Sequence, residues 1–306
     1  MRRSSFPDFF VIGAPRCGTT SLCRYLSKHP KICFSRPKEP HYFTRLAPEP
    51  PDPDLESGYL ARFFPHRGPQ HERTGEGSVS TLYSSVALAN IARLNPEARF
   101  IALLRSPYEM LPSYHLRLLF VLEEEAPDLR AAWSLQAARA RGEELPARCR
   151  DPRLLQYAEV ASFGARIEEL YRIAPREHCL VLLYEDFAED PRKVYEQVLR
   201  FLGLELDGRE RWPRKQPSRS YRQRWLQELL YRPPAPVAAA GVRASRSARR
   251  RGDWARRLRR QLLRWNTTPV RAPALDPELR ERVRSALAPD IEKLSALLGR
   301  DLSHWR

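Results

Sequence analysis

The segment that most restricts the fold lies near the start of the chain. Phe9-Phe10-Val11-Ile12 is an apolar run that stops at Gly13, and it reads as a buried strand. The loop Gly13-Ala14-Pro15-Arg16-Cys17-Gly18-Thr19-Thr20-Ser21 follows, and from Leu22 to Ser27 the spacing is helical. A strand that passes through such a loop into a helix presents backbone N–H groups and the positive end of a helix dipole at one point, which favours an anion. The glycines, with Cys17 between Arg16 and Gly18, let the backbone curl. Thr19, Thr20 and Ser21 add hydroxyl donors, and Arg16 adds a fixed positive charge. A phosphate or phosphate-like group is the natural occupant.

The remaining pattern alternates strands with helices. Arg99 to Leu104 and His178 to Leu183 read as further buried strands. Pro107 opens a helix that runs to Leu122, and a single helix is expected over Leu154 to Ile173. Asp190-Pro191 supplies an N-cap followed by Pro at the first helical position, with a stop at Gly203. Asp276-Pro277 opens a last helix, expected to break near Pro289 and resume to Gly299. Such alternation predicts an α/β protein of three layers, a central parallel sheet flanked by helices in a P-loop-like fold. Ligands in such sheets bind at the carboxyl ends of the strands, the edge that the loop at Gly13 shares with Arg105. The 306 residues are expected to form a single domain over 1–306, with a mobile or lid insertion around 231–265.

Charge and cysteine usage narrow the classes of partner. The formal net charge is +16, from 53 Lys and Arg against 37 Asp and Glu, which attracts polyanions in general. Ten arginines fall between Arg243 and Arg264. There Trp254, Leu258, Leu262 and Trp265 share one helical face, expected to pack on its own domain, with peripheral contact at a membrane surface as the alternative. No nucleic-acid motif is visible. Five cysteines without a C-x-x-C pair read as reduced thiols, and no metal site is expected. With no secretory signal and no run near the roughly 18 apolar residues of a membrane span, the expected location is the cytoplasm.

Two enzyme classes use a loop of this kind. A nucleoside triphosphatase carries G-x-x-x-x-G-K-[ST], and here the glycine spacing fits but Thr19 stands in place of the lysine. Such an enzyme also needs a strand-end Asp for Mg²⁺, whereas Phe100 to Leu104 ends in Arg105. Gly13 to Leu22 instead resembles the 5′-phosphosulfate loop G-x-P-[KR]-x-G-T-T-x-L of sulfotransferases that use 3′-phosphoadenosine-5′-phosphosulfate (PAPS). In that family a strand-end Arg followed eight residues later by Ser holds the donor's 3′-phosphate, and Arg105 with Ser113 has this spacing. Leu183 to Phe187 with Asp190-Pro191, and Leu298 to Leu302 with Trp305, are similar to further family segments.

The resemblance implies a sulfuryl transfer from PAPS to a hydroxyl-bearing acceptor. Cofactor contacts would fall to Arg16, Cys17, Gly18, Thr19, Thr20, Ser21, Arg105 and Ser113, with no metal. Arg16, where many members have lysine, would stabilise the leaving oxygen electrostatically. Lys38-Glu39-Pro40-His41-Tyr42-Phe43 resembles the segment that supplies the base in heparan-sulfate-type members, which makes Glu39 the expected base and His41 the runner-up. Gly75 to Ser80 with Tyr83 resembles a further segment, in which lysine commonly follows the glutamate but Gly77 stands here, so that Glu76 is expected to hold His41 or Arg16. A carbohydrate acceptor fits best, with a lipid, a natural product or a tyrosine as options. The competing readings are a kinase or NTPase on a related fold, and a basic protein that binds membrane or nucleic acid without catalysis.

Overall fold

The computed structural model describes residues 6–45, 54–213, 218–231 and 251–305. The proline-rich stretch Pro48 to Pro53 and residues 232–250 of the expected lid lie outside the described residues. The chain divides into two compact units, one of Met1–Met110, Ala158–Lys215 and Asp276–Arg306, the other of Leu111–Tyr157 and Gln216–Leu275.

The first unit is built on a five-stranded sheet. Its strands are β1 (Phe9–Gly13), β2 (Ile32–Phe34), β3 (Arg73–Glu76), β4 (Arg99–Leu104) and β5 (Cys179–Leu183). Their order is β2-β3-β1-β4-β5 and every pairing is parallel. Successive side chains leave a strand on opposite faces, so β1 feeds two cores. On one face Phe9 and Val11, with Ile101 and Leu103 of β4, pack with Leu22 and Leu26 of α1 (Thr19–Leu26) and with Val194 and Val198 of the helix Pro191–Phe201. On the other, the Phe10 ring stacks 5.9 Å from Phe100 and meets Phe43 edge-on at 5.6 Å. Burial on both faces explains why β1 and β4 are continuous apolar runs rather than alternating ones. Each such side chain contributes about 1.5–3 kcal/mol of transfer energy. The expected α/β fold with its central parallel sheet is the one observed.

Several elements depart from expectation. The helix expected over Leu154 to Ile173 is three pieces, a 3₁₀ turn Pro152–Leu155 and the helices Tyr157–Ala161 and Phe163–Ile173. Asp290 explains the break near Ser162: its carboxylate accepts from the N–H groups of Gly164 (2.7 Å) and Ala165 (2.8 Å), a cap supplied from a distant helix. That helix, Pro277–Leu298, continues through Pro289 instead of breaking. Leu279, Val283, Leu287, Ile291 and Leu294 are buried on both sides of the proline, and this packing outweighs the one hydrogen bond it removes. β2 and β3 were not expected. β3 is Arg-Thr-Gly-Glu and lacks any apolar signal. It is anchored by Asp8, whose Oδ2 accepts from Thr74 N (2.6 Å) and Thr74 Oγ1 (2.7 Å).

The second unit holds most of the helix Pro107–Val121, the short helices Leu129–Ser134 and Gln136–Ala140, and an antiparallel pair of β6 (Ser218–Tyr221) with β7 (Thr267–Val270). At its centre the Arg139 guanidinium forks onto Glu124, with both bonds at 2.7 Å. Tyr157 donates to the same carboxylate at 2.8 Å, and His115 lies 3.0 Å from the Tyr157 hydroxyl. A buried ion pair needs this full set of partners to offset its desolvation. Among the described residues no helix is long and apolar enough to cross a membrane.

Candidate active site

The carboxyl edge of the sheet gathers two groups of polar residues within the first unit. The first begins where β1 ends. Ala14 N donates to Leu103 O at 2.7 Å, which ties the loop to β4. Gly18 then caps α1 with φ 93° and no side-chain cap. A Cβ at Gly18 would lie 2.9 Å from Tyr184 Cδ2, so both the backbone conformation and the close approach require glycine. Ser21 N donates back to Gly18 O at 2.9 Å, and no side chain caps the start of the helix, whose positive end favours an anion. Arg16 also has positive φ, 65°, a conformation that costs a non-glycine residue about 1–2 kcal/mol. Cys17 is buried with its Sγ directed at Pro15 O, Thr19 is buried, Ser21 is half-buried and Thr20 is exposed.

Arg105 follows the last residue of β4. Its Nε and one terminal nitrogen donate to Glu109 Oε2 at 2.9 and 2.6 Å, and its guanidinium lies 4.5 Å above the Tyr184 ring. The register Leu104↔Leu183 explains this placement, because the next residues on the two strands are Arg105 and Tyr184. Tyr184 therefore touches both the start of α1 and Arg105. Sequence reasoning gave Tyr184 no role. Its position becomes informative only once strands nearly eighty residues apart are paired. Ser113 belongs to the second unit, where it is buried and its Oγ lies 3.1 Å from Ser218 Oγ.

The second group of the first unit follows β2 and β3. The Lys38 carbonyl accepts from Gly77 N (2.9 Å) and Ser35 Oγ (3.1 Å), which pins the segment after β2 to the end of β3. The Lys38 stem then lies across Gly77: a Cβ there would sit 2.9 Å from Lys38 Cε and 2.8 Å from Cys23 Sγ. Gly77 is thus the space that Lys38 fills. Lys38 Nζ reaches Glu39 Oε1 at 2.6 Å, and Glu39 Oε2 lies 3.3 Å from His41 Nε2. His41 Nδ1 is 2.8 Å from Ser80 Oγ, and the His41 N–H donates to Ser78 Oγ at 3.0 Å. The structure brings Glu39 and His41 together as one hydrogen-bonded line from Lys38 to Ser80.

The two carboxylates of this group are pushed in opposite directions. Burial alone would raise the Glu39 carboxyl, but the hydrogen bond with His41 and the charge of Lys38 prevail and lower it to about 2. Burial dominates at Glu76, which is 1% exposed, and pushes it up to about 7 against the pull of Tyr59 and Ser78. Glu76 Oε2 accepts from Tyr59 at 2.7 Å. The expectation that Glu76 holds His41 or Arg16 is corrected: its hydrogen-bond partner is Tyr59, its Oε1 is buried without a hydrogen bond among the described residues, and His41 acts on it through charge alone. Tyr59 was not foreseen, because it comes from α2 (Asp54–Phe63), beyond a stretch whose periodicity gave no sign of proximity.

The carboxyl edge of the parallel sheet thus carries a glycine-turned loop at a helix start, the Arg105 guanidinium and the carboxylate line of Glu39, the layout of an α/β protein with its candidate site at the strand ends. The profile of the sulfotransferase domain matches residues 6–229, and the chain belongs to the sulfotransferase family. It is 26% identical over 261 residues to carbohydrate sulfotransferase 15 of Rattus norvegicus, covering 66% of this chain and 45% of that protein. It is 29% identical over 125 residues to the membrane-associated sulfotransferase kil1 of Dictyostelium discoideum, covering 40% of this chain and 26% of that one. The chain spans about half the length, or less, of the curated relatives it matches. Among solved structures, a sulfotransferase from Alicyclobacillus acidocaldarius superposes with a TM-score of 0.65 at 25% identity, covering 98% of this chain and 99% of that one.

Proposed function

We propose that the protein transfers the sulfuryl group of PAPS to a hydroxyl of a carbohydrate acceptor. The observation that carries the donor half is Tyr184, held against the start of α1 on one side and beneath Arg105 on the other. It sets a helix N-terminus and a permanent guanidinium around one ring, a spacing suited to a nucleotide with two anionic groups. The loop from Arg16 to Ser21 takes the 5′-phosphosulfate and Arg105 takes the 3′-phosphate. Glu109 lets go of Arg105 at little cost, because it is mostly exposed and such pairs contribute about 0–1 kcal/mol. Ser113 joins the assignment on its sequence spacing alone.

The acceptor oxygen attacks sulfur in line, a new S–O bond forms, and the bridging S–O bond to the 5′-phosphate breaks. The acceptor proton passes to Glu39, and 3′-phosphoadenosine-5′-phosphate leaves. Both His41 ring nitrogens are already engaged, by Glu39 and Ser80. A carboxylate has about four acceptor sites, so Glu39 accepts a hydroxyl proton while keeping Lys38 and His41. This difference favours Glu39 as base and makes His41 the residue that orients it. Negative charge grows on the bridging oxygen, where Arg16 and the loop N–H groups stabilise it.

The name of the rat relative, a carbohydrate sulfotransferase, supports a carbohydrate hydroxyl. Labelled sulfate supplied as PAPS, offered with panels of polysaccharides, lipids and tyrosyl peptides, tests both halves. Label in a polysaccharide that depends on Glu39 supports the assignment. Label only in lipid or peptide overturns the acceptor class, and no transfer to any panel overturns the reaction.

A further inference from the structure

The second unit carries an exposed apolar surface to which the proposed transfer assigns no residue. The helix Arg224–Tyr231 buries Leu226, Gln227 and Leu230 but leaves Trp225 64% and Leu229 41% exposed. The helix Arg251–Asn266 runs antiparallel to it. At one end Asn266 Nδ2 donates to Gln223 O and Gln227 Oε1, each at 3.1 Å, and at the other the Arg259 guanidinium donates to Leu230 O at 2.9 and 2.6 Å. On this second helix Leu258 and Trp265 are 44% and 58% exposed. They are seven residues apart and share one face. The expectation that this face packs on its own unit therefore fails at both positions. Four of the six large apolar side chains exposed among the described residues lie on this helix pair.

The charge around these side chains is mainly positive, although Arg224 beside Trp225 is paired with Glu125 at 3.3 Å as well as with Glu228. Arg257 to Arg271 holds five arginines and no acidic residue. Ser218 to Tyr231 holds three arginines and only Glu228, which is paired with Arg148 at 3.1 Å and Arg224 at 2.9 Å. An acidic polysaccharide would match the arginines but would leave Leu229 and Leu258 in water, and an acidic protein would need an apolar patch of its own in register with them. A headgroup layer over acyl chains takes both, with Trp at the boundary and Arg among the phosphates. With six arginines in 16 residues, the helix Arg251–Asn266 lies on a bilayer rather than across it. We propose that this helix pair docks on the surface of an anionic lipid bilayer, with Trp225, Leu229, Leu258 and Trp265 in the headgroup–acyl boundary.

The test needs neither donor nor acceptor, so it stands or falls apart from the transfer reaction. The full chain is sedimented with vesicles of phosphatidylcholine alone or with about 30% phosphatidylserine. Cosedimentation with the anionic vesicles is expected, falling steeply as salt rises from about 0.05 to 0.5 M. The double variant Trp225→Ser/Trp265→Ser should lower partition by about tenfold or more at an unchanged melting temperature. Arg257→Gln/Arg264→Gln should remove most of the preference for anionic lipid while leaving the fold intact. Failure to bind anionic vesicles, equal binding to both vesicle types, or unchanged binding of the Trp variant overturns the proposal. So does a dimer of the free chain that the Trp variant dissociates, because a second copy would then own the face.

Discussion

The two halves of the carboxyl edge are made in different ways. The proposed donor side joins a continuous segment, the loop to the helix start at Gly18, with one side chain from the end of β4, Arg105. The acceptor-side cluster is assembled from side chains that follow β2 and β3, with Lys38 laid across Gly77 and Tyr59 reaching in from α2. The first holds a shape almost independent of protonation. The second holds two carboxyl groups driven apart, to about 2 at Glu39 and about 7 at Glu76. Binding a fixed anion and tuning a proton acceptor place different demands on a chain, and the proposed function asks one sheet edge to meet both. Changes in the loop should therefore act on donor affinity, and changes in the cluster on rate and pH dependence.

The largest effect should come from the cluster. Glu39→Gln should lower kcat about 10²–10⁴-fold, the usual worth of a positioned base, with donor affinity unchanged in a nucleotide titration. An equal loss of donor affinity would erase the division between the halves. Next is Glu76, whose effect is on stability. A carboxyl raised from its ordinary value near 4.5 to about 7 in the fold favours the native state fully below pH 4.5, and that contribution is lost as pH rises through 7. The loss is on the order of 3 kcal/mol. Thermal melts at pH 4.5 and 8 should show it in the wild type, and Glu76→Gln should flatten the difference.

On the donor side, Arg105→Ala should weaken binding of 3′-phosphoadenosine-5′-phosphate about 10–100-fold, as expected for a lost charged hydrogen bond. The kcat at saturating donor should change far less. A smaller effect belongs to Lys38→Met. Glu39 then loses a cation, its pKa rises towards 4.5, and the acidic limb of the kcat profile should move up in pH. Rates measured near pH 3.5 should fall several-fold while those at pH 8 stay within about twofold. The smallest is Ser113→Ala, which should weaken donor binding about 2–10-fold, one neutral hydrogen bond.

The same division governs what the sequence reveals. The donor loop was legible because a local run of residues fixes both its conformation and its chemistry: an apolar strand, Gly18 at the turn, Arg16 and three hydroxyl residues. Arg105 stood out because a charged residue follows the apolar run Phe100 to Leu104, and its proposed role came from the resemblance. Tyr184 was not, since its meaning comes from the pairing of β4 with β5. On the acceptor side Glu39 and His41 stood out by resemblance, but their hydrogen-bonded line to Lys38 and Ser80 required β3, whose Arg-Thr-Gly-Glu carries no hydrophobic pattern. Gly77 looked like a lost lysine in sequence. In the fold its bare Cα makes room for the Lys38 stem, so a positive charge still stands beside Glu39. The unbroken helix through Pro289 and the break at Ser162 teach the same lesson in the scaffold: burial and a distant cap overrode local propensity.

The most direct test of the donor assignment is a calorimetric titration of 3′-phosphoadenosine-5′-phosphate into the wild-type chain, with Arg105→Ala and Glu39→Gln alongside. Saturable binding to the wild type and to Glu39→Gln, weakened about 10–100-fold in Arg105→Ala, is the predicted result. Wild-type binding weaker than about 1 mM, or binding no tighter than that of ATP, would contradict the assignment of this loop to a phosphosulfate donor.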